Sequence, residues 1–256
     1  MGAHIVTIVN QKGGVGKTTS AVSLAAALGR RGQRVLLVDL DPQGNATSAS
    51  GVDGRGMTGV YDALLDDTPT VECIVPVPEE SYALVPASAD LAAAEVELVP
   101  AMARERRLAN ALNAVRDEYD WMFIDCPPSL GLLTINALTA SDTLIIPVQC
   151  EYMALEGLSR LMETLELVRR NLNPALSVLG VILTMFDSRT RLSQQVVDEV
   201  RGHFAQTFAT IIPRAVRLSE APSHGQTIFR YEPGGRAALA YDALAAELLD
   251  RVGAPV

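Results

Sequence analysis

The sequence predicts an α/β fold, in which one mostly parallel, twisted β-sheet carries helices on both faces. Two observations predict this fold: short runs of apolar, β-branched residues recur along the chain, and stretches with helical periodicity separate them. Such alternation gives parallel strands joined by right-handed crossovers, with helices covering both sides of the sheet. No Pro-, Gly- or Ser-rich linker is long enough to divide the chain, so residues 1–256 are expected to form one domain.

Seven apolar runs are expected to form the strands. Each run is nearly continuous in apolar residues, which is typical of strands that are buried on both faces. In chain order they cover residues 4–10, 34–40, 82–87, 121–126, 143–149, 176–185 and 210–213.

Helices are expected between these runs. In residues 154–170 the apolar side chains recur at three- and four-residue steps, and residues 237–252 place their apolar side chains on one face in the same way. Residues 41–56 are glycine-rich and polar, so we expect a loop that stays outside the core. Loops of this length in a compact domain are usually functional or mobile.

Composition excludes several classes of protein. The net charge of −9 argues against a protein that coats itself in nucleic acid through its overall charge. The three cysteines are widely spaced and form no C-x-x-C pattern, which argues against a disulfide framework or a zinc site. No apolar run reaches the roughly 18–20 residues that span a bilayer, and no signal peptide is recognisable. We therefore expect a soluble cytoplasmic protein.

The stretch NQKGGVGKTTS, residues 10–20, contains both lysines of the chain, Lys12 and Lys17. The other 19 of the 21 basic residues are arginine (21 − 2 = 19), so lysine occurs in this stretch and nowhere else in the sequence. The stretch follows a predicted strand and precedes an amphipathic helical pattern, which is the context of a phosphate-binding loop.

In such a loop the backbone N–H groups converge on the β-phosphate, and the helix dipole adds to their attraction. Lys17 would span the β- and γ-phosphates, and Thr18 would offer its hydroxyl to Mg²⁺. The residues expected to contribute the N–H groups are Gly13, Gly14, Val15, Gly16, Lys17, Thr18 and Thr19.

The loop departs from the usual pattern G-x-x-x-x-G-K-[ST], because its first glycine would fall at Gln11. Lys12 stands ahead of the glycines instead. One interpretation is that Lys12 is solvated or pairs with a carboxylate. The other is that it reaches the phosphates of a nucleotide on a neighbouring subunit, as a trans-acting cation that stabilises transferring phosphoryl charge.

Three aspartates stand at the ends of predicted strands, where ligands bind in open α/β sheets. Asp39 and Asp41 follow one strand two residues apart, and Asp125 ends another. Asp125 occupies the position expected for a carboxylate that holds Mg²⁺ through water. Each aspartate alone would indicate a residue of a strand-end turn or a helix cap. Three of them beside a phosphate loop favour a functional site.

The motifs KGGVGKTT, VLLVDLDPQGNATS, FIDCPPSLG, VPVQCEYMALEGL and IPRAVRLSEAPSHGQ together resemble the ParA/Soj family of chromosome- and plasmid-partitioning ATPases. The resemblance implies a Mg²⁺-dependent ATPase that binds ATP or ADP and forms a homodimer around two ATP molecules. Lys12, Lys17 and Asp41 would then be catalytic, with Lys12 on the partner's phosphates and Asp41 orienting the attacking water. Mg²⁺ would be held by Thr18 and, through water, by Asp125. The adenine would rest against Pro213 and Ala215.

The resemblance also implies partners. The ATP dimer would bind DNA without sequence preference, associate with the nucleoid and respond to a ParB-type centromere-binding protein, without a membrane. Residues 189–236 hold seven arginines and four acids, a local balance of +3 (7 − 4 = 3), and dimerisation would double this patch. The expected DNA contacts are Arg189, Arg191, Arg217 and Arg230.

Three alternatives stay open at this point. A septum-site-positioning (MinD-like) ATPase should end in an amphipathic helix with a basic polar face, whereas YDALAAELLDRVGAPV is acidic on its polar face. A nitrogenase-type reductase needs cysteines that share an iron–sulfur cluster, and only Cys126 lies next to a strand-end motif. The chain could also be a nucleotide-gated DNA-binding scaffold with incidental turnover.

Overall fold

The protein is described from a computed structural model, which covers residues 2–151 and 156–253, with the side chains of residues 78, 156 and 157 excepted. Its strands form one eight-stranded sheet in the order β3-β4-β2-β5-β1-β6-β7-β8, parallel except for β3, which pairs antiparallel with β4. This confirms the predicted mostly parallel α/β fold. The strands are β1 (His4–Ile8), β2 (Val35–Asp39), β3 (Val75–Val77), β4 (Tyr82–Val85), β5 (Trp121–Asp125), β6 (Thr143–Gln149), β7 (Ser177–Phe186) and β8 (Thr207–Pro213).

Helices cover both faces of this sheet. The first five are α1 (Lys17–Gly29), α2 (Asn45–Ala49), α3 (Val60–Leu65), α4 (Leu91–Glu97) and α5 (Arg107–Asn113). The others are α6 (Leu132–Ala140), α7 (Glu156–Asn171), α8 (Arg191–His203), α9 (Arg217–Glu220), α10 (Ile228–Tyr231) and α11 (Arg236–Val252).

Two apolar cores, one on each face, explain why the strands read as continuous apolar runs. In β1, Ile5 packs into the core under α3 to α8, and Val6 and Ile8 pack into the core that includes α1 and α11. Successive side chains of a strand point to opposite faces, so a strand covered on both sides must be apolar at every position.

Two strands differ from the sequence prediction. The run 210–213 belongs to a longer strand that begins at Thr207. The apolar pattern did not include the first residues of this strand, because Thr207 and Ala209 are not buried and interrupt it. The sequence did not predict β3, which has three residues, one of them Pro76. Proline is tolerated there because β3 is an edge strand.

The predicted helices correspond to α7 and α11. Residues 154 and 155 of the predicted helix 154–170 lie outside the described residues, and α7 begins at Glu156. The last helix, predicted over 237–252, begins one residue earlier, at Arg236.

The expectation that residues 41–56 stay outside the core as a loop is wrong. Residues 45–49 form α2, in which Ala46, Thr47 and Ala49 are buried. Thr47 can be buried because its polar groups are satisfied: its N–H and hydroxyl both donate to Asp39 Oδ2 at 2.7 Å, and its Oγ1 accepts from Ala87 N at 3.0 Å.

Candidate nucleotide-binding site

The phosphate loop lies between β1 and α1 and depends on two glycines. Gly14 has φ +73° and Gly16, which precedes the first turn of α1, has φ +91°. These are left-handed conformations that glycine adopts without the steric cost other residues pay. The glycines therefore set the path of the backbone that leads into the N-terminus of α1.

Two side chains outside the predicted set fix the loop to the sheet. The Asn10 amide donates to Pro147 O at 2.7 Å, and its Oδ1 accepts from Lys12 N at 3.0 Å. Thr184, at the end of β7, donates its hydroxyl to Val15 O at 2.8 Å. Asn10 stands next to the loop in sequence and could have been suspected as a turn residue, whereas no local pattern points to Thr184.

Lys17 is buried at the start of α1, with its Nζ 3.5 Å from Lys12 O. Burial lowers the pKa of the Lys17 ammonium, and the nearby Asp125, Cys126 and Asp41 raise it in part. A buried cation with few protein partners is suited to bind phosphate oxygens. Lys12, in contrast, is exposed.

The strand-end aspartates lie together because their strands are neighbours. Asp39 of β2 and Asp125 of β5 are directly opposite in the parallel pairing, and both are fully buried. Asp41 is also buried, and its Oδ1 accepts from Gln43 N at 3.0 Å. The three carboxylates therefore concentrate negative charge beside the phosphate loop.

Asp39 and Asp125 differ in their hydrogen bonds. Asp39 accepts three hydrogen bonds, from Thr47 and from Asp41 N, and burial nevertheless raises its pKa to about 6. Burial and then Asp39 raise the pKa of Asp125 well above its ordinary value, although Thr18 and Lys17 lower it in part. Both Asp125 oxygens are buried with no hydrogen bond of good geometry within the described residues.

The unpartnered Asp125 fits a bound cation. Buried polar groups are almost always satisfied, so such oxygens call for a partner that is not part of the chain. No cluster of three or more His, Cys, Asp or Glu that could hold a metal occurs in the described residues. The position of Asp125 beside the phosphate loop fits Mg²⁺, which usually takes one or two carboxylates together with waters and phosphate oxygens.

A cavity of about 780 Å³ opens in front of the phosphate loop. Its lining also includes the apolar residues Met185, Ile212 and Leu218, which the sequence did not single out. This size and a lining that combines charged and apolar residues suit a nucleotide. The predicted residues that line it are Gly13, Gly14, Gly16, Lys17, Thr18, Thr19, Asp41, Pro213 and Ala215.

Three residues predicted for the nucleotide site lie outside this lining. The Val15 side chain is buried in the protein, so Val15 can contribute only through its backbone. Asp125 is buried beside the lining residue Lys17, and Lys12 is exposed in the loop. Because Asp125 is buried, it can act on a ligand only through an intermediary such as water. Lys12 is exposed and can contact another molecule.

Three of the four predicted DNA-contacting arginines are paired with acids. Arg189 pairs with Asp187 at 2.7 Å, and Arg191, which opens α8, is exposed without an ion pair among the described residues. Arg217 pairs with Glu220 at 2.7 Å and with Glu232 at 3.5 Å, and Arg230 pairs with Glu79 at 2.5 Å and with Glu80 at 3.8 Å.

The local charge balance of +3 holds for residues 189–236 only. Three of the pairing acids, Asp187, Glu79 and Glu80, lie outside that window. The arginine surface is therefore more nearly neutral than the sequence window suggests.

Comparisons with known proteins agree with this geometry. The family model AAA_31, an AAA domain, matches residues 3–178. The sporulation initiation inhibitor protein Soj of Bacillus subtilis (strain 168) is 55% identical over 246 residues, which cover 95% of this chain and 97% of that protein. The chromosome partitioning protein ParA of Myxococcus xanthus (strain DK1622) is 53% identical over 250 residues, which cover 97% of this chain and 88% of that protein.

A solved structure shares the fold. The crystal structure of cobyrinic acid a,c-diamide synthase from Mycobacterium smegmatis with bound ADP and magnesium has a TM-score of 0.86 and 37% identity, covering 98% of this chain and 96% of that chain. Within the described residues no helix is long and apolar enough to cross a membrane. Because relatives with more than half of their residues identical span almost the whole chain, the chain belongs to the ParA/Soj family of chromosome-partitioning ATPases.

Proposed function

We propose that this chain is an ATP-dependent dimerising switch. The ATP dimer binds DNA without sequence preference and associates with the nucleoid in the cytoplasm. Slow Mg²⁺-dependent hydrolysis of ATP to ADP and phosphate, stimulated by a ParB-type centromere-binding protein, ends this state. The cycle drives the segregation of a chromosome or plasmid.

The observation that carries the proposal is the buried, unpartnered Asp125 beside Lys17 and the phosphate loop. Thr18 would bind Mg²⁺ directly, and Asp125 would hold it through water. When bound, Mg²⁺ neutralises charge on the phosphate oxygens. The chain's own contribution is the buried Lys17 cation and the backbone N–H groups that start α1, which hold and orient the phosphates.

Asp41 is the best candidate to orient the attacking water. It lines the cavity, and Gln43 N donates to its Oδ1, which leaves Oδ2 available. A carboxylate orients water well but removes its proton poorly, so hydrolysis without a partner should be slow. Slow turnover suits a timer, because the lifetime of the bound state sets how long the DNA surface persists.

Lys12 supports the dimer. It is the exposed lysine of the loop, and within the described residues it pairs with no carboxylate. A cation displayed at the edge of a phosphate site can complete the charge around a nucleotide held by another copy. The proposal therefore assigns Lys12 to the partner's phosphates.

DNA contact is assigned to Arg189, Arg191, Arg217 and Arg230. Arg191 is exposed, and Arg189 carries a side chain that is exposed apart from its pair with Asp187. Exposed ion pairs contribute little free energy, so DNA phosphates can replace the acids.

The test is light scattering of the wild type, Lys12→Ala and Asp41→Ala with ADP and with ATP. We expect the wild type to dimerise with ATP only, Asp41→Ala to remain a dimer because hydrolysis is blocked, and Lys12→Ala to stay monomeric while still binding ATP. A Lys12→Ala protein that dimerises like the wild type would refute the role of Lys12 in trans. Strong stimulation of ATPase activity by DNA together with the partner protein would separate the switch from a scaffold with incidental turnover.

A further inference from the structure

The short helix α2 has one side toward the cavity and one side toward the sheet. Asn45, Ser48 and Ala49 line the cavity, and their spacing of three and four residues puts them on one side of the helix. Thr47 is 2% exposed and bonds instead to Asp39, at the end of β2, and to Ala87, two residues after β4. Replacing the Thr47 side chain therefore removes no group that lines the cavity.

The Thr47 hydroxyl is held in one orientation by its two partners. It accepts from Ala87 N at 3.0 Å and donates to Asp39 Oδ2 at 2.7 Å. A hydroxyl has one proton to donate, and the bond from Ala87 leaves that proton for Asp39. Thr47 N also donates to Asp39 Oδ2, at 2.7 Å, so both donors of Thr47 converge on the same carboxylate oxygen.

The other oxygen of Asp39 bonds to the backbone of Asp41. Asp39 Oδ1 accepts from Asp41 N at 3.2 Å. The last torsion of an aspartate side chain is broad and has no sharp preference of its own, so its partners set the rotation of the carboxylate. By holding Oδ2, Thr47 fixes this rotation and thereby directs Oδ1 toward Asp41.

This bond connects Asp41 itself to the sheet. Two further bonds, from Gly44 N to Asp41 O at 2.9 Å and from Gln43 N to Asp41 Oδ1 at 3.0 Å, lie within the turn that Asp41 begins. They shape the turn but do not fix its distance from the strands. A catalytic group that is misplaced by about 1 Å can cost about a hundredfold in rate, so the bond to Asp39 matters for the chemistry.

We propose that Thr47 is a positioning residue for ATP hydrolysis, which acts through Asp39 to hold Asp41 where it orients the attacking water. This inference rests on the proposed function, because it needs Asp41 in that role. A threonine that served stability alone would lower the stability of the protein when replaced. It would leave the hydrolysis rate of the folded molecules unchanged.

The test compares Thr47→Val, which lacks the hydroxyl, with Thr47→Ser, which keeps it. The rate is measured as single-turnover hydrolysis of bound ATP by the full chain with Mg²⁺, and ATP affinity is measured by titration. We expect Thr47→Val to hydrolyse ATP at least tenfold more slowly, with ATP affinity and the Mg²⁺ concentration for half-maximal rate within twofold of wild type. Thr47→Ser should restore the rate to within twofold of wild type.

The matched control is Thr70→Val. Thr70 is 3% exposed and donates its hydroxyl to Ala111 O at 2.7 Å, and it does not line the cavity. This control removes a buried hydroxyl of the same kind, so its urea midpoint should fall while its hydrolysis rate stays at the wild-type value. If Thr47→Val does not fold, Thr47→Ala also lacks the hydroxyl and carries the same expectation.

The outcomes distinguish failure of this role from failure of the proposed function. If Asp41→Ala is slow and Thr47→Val hydrolyses ATP at the wild-type rate, Thr47 is not a positioning residue and Asp41 keeps its role. An equal loss of rate in Thr70→Val, or a rate that added Mg²⁺ restores in Thr47→Val, also overturns the inference. A rate for Asp41→Ala equal to wild type overturns the proposed role of Asp41, and the role of Thr47 falls with it.

Discussion

The phosphate loop and the segment from α9 to α10 border the same cavity but are held in different ways. Buried hydrogen bonds from β6 and β7, through Asn10 and Thr184, fix the loop to the centre of the sheet. The α9–α10 segment is held near the edge strands by buried hydrogen bonds from Thr227 to Glu80 and, in addition, by an exposed ion pair between Arg230 and Glu79. The buried bonds of the loop suit constant recognition of phosphate, and the exposed ion pair of the second region is the contact that a ligand could replace.

A backbone contact connects the second region to Asp41. Gly51 follows α2 and has φ +74°, and Gly225 precedes α10 and has φ +60°. A Cβ on Gly225 would lie 2.8 Å from Gly51 Cα, so the two backbones touch. The segment that runs from Asp41 through α2 is therefore in direct backbone contact with the segment that leads to Arg230.

The largest effect is expected where the loop is anchored. Asn10→Ala removes the buried hydrogen bond to Pro147 O and the partly buried one from Lys12 N, and an unsatisfied buried group costs about 1–3 kcal/mol. We expect a lower urea midpoint and ATP affinity reduced by about tenfold or more, since about 1.4 kcal/mol corresponds to tenfold. Urea unfolding and ATP titration measure the two effects.

The control for this variant is Asn171→Ala, whose amide donates to Leu167 O on the exposed side of α7. It should change the free energy of unfolding by no more than about 0.5 kcal/mol. Equal losses of ATP affinity in the two variants would contradict the anchoring role of Asn10.

An intermediate effect is expected at the backbone contact. Gly225→Ala is expected to destabilise the protein in two ways. The left-handed backbone conformation disfavours alanine by about 1–2 kcal/mol, and the clash of the new Cβ with Gly51 adds about 1–3 kcal/mol. Gly234→Ala should show only the conformational effect, because Gly234 has φ +74° and its Cβ would meet nothing within 4 Å. Differential scanning calorimetry should show the larger loss for Gly225→Ala, together with weaker dependence of DNA retention on ATP. If both variants lose the same stability and the same ATP dependence of DNA retention, the contact between Gly225 and Gly51 does not couple the two segments.

The same contrast between local and distant contacts decides what the sequence could predict. The phosphate loop, Asp41 and Asp125 were recognisable because strand, loop and helix follow one another within a few residues. Thr184 was not, because its partner Val15 lies 169 residues away and nothing near Thr184 signals it. The short helix α2 was missed because its burial depends on Asp39, whose side chain accepts from Thr47. Distant packing also neutralises Arg230 through Glu79, which a count along the sequence could not show.

The smallest effect is expected at the exposed ion pair. Glu79→Gln removes an acid from Arg230 and should change the free energy of unfolding by less than about 1 kcal/mol. Retention on DNA with ATP should rise slightly, because Arg230 then keeps only its longer contact of 3.8 Å with Glu80 and its charge is more available to phosphates. Retention across a salt titration measures this.

Glu72→Gln is the matched control, because it removes one negative charge from an exposed residue that forms no ion pair in the described part of the chain. If Glu72→Gln raises retention as much as Glu79→Gln, net charge alone explains the gain, and Arg230 would lose its assignment to DNA. A gain confined to Glu79→Gln, with a steeper salt dependence, would instead place Arg230 on the phosphates. That result would also show that DNA phosphates replace Glu79 as the partner of Arg230, whereas the hydrogen bonds that anchor the phosphate loop stay in place.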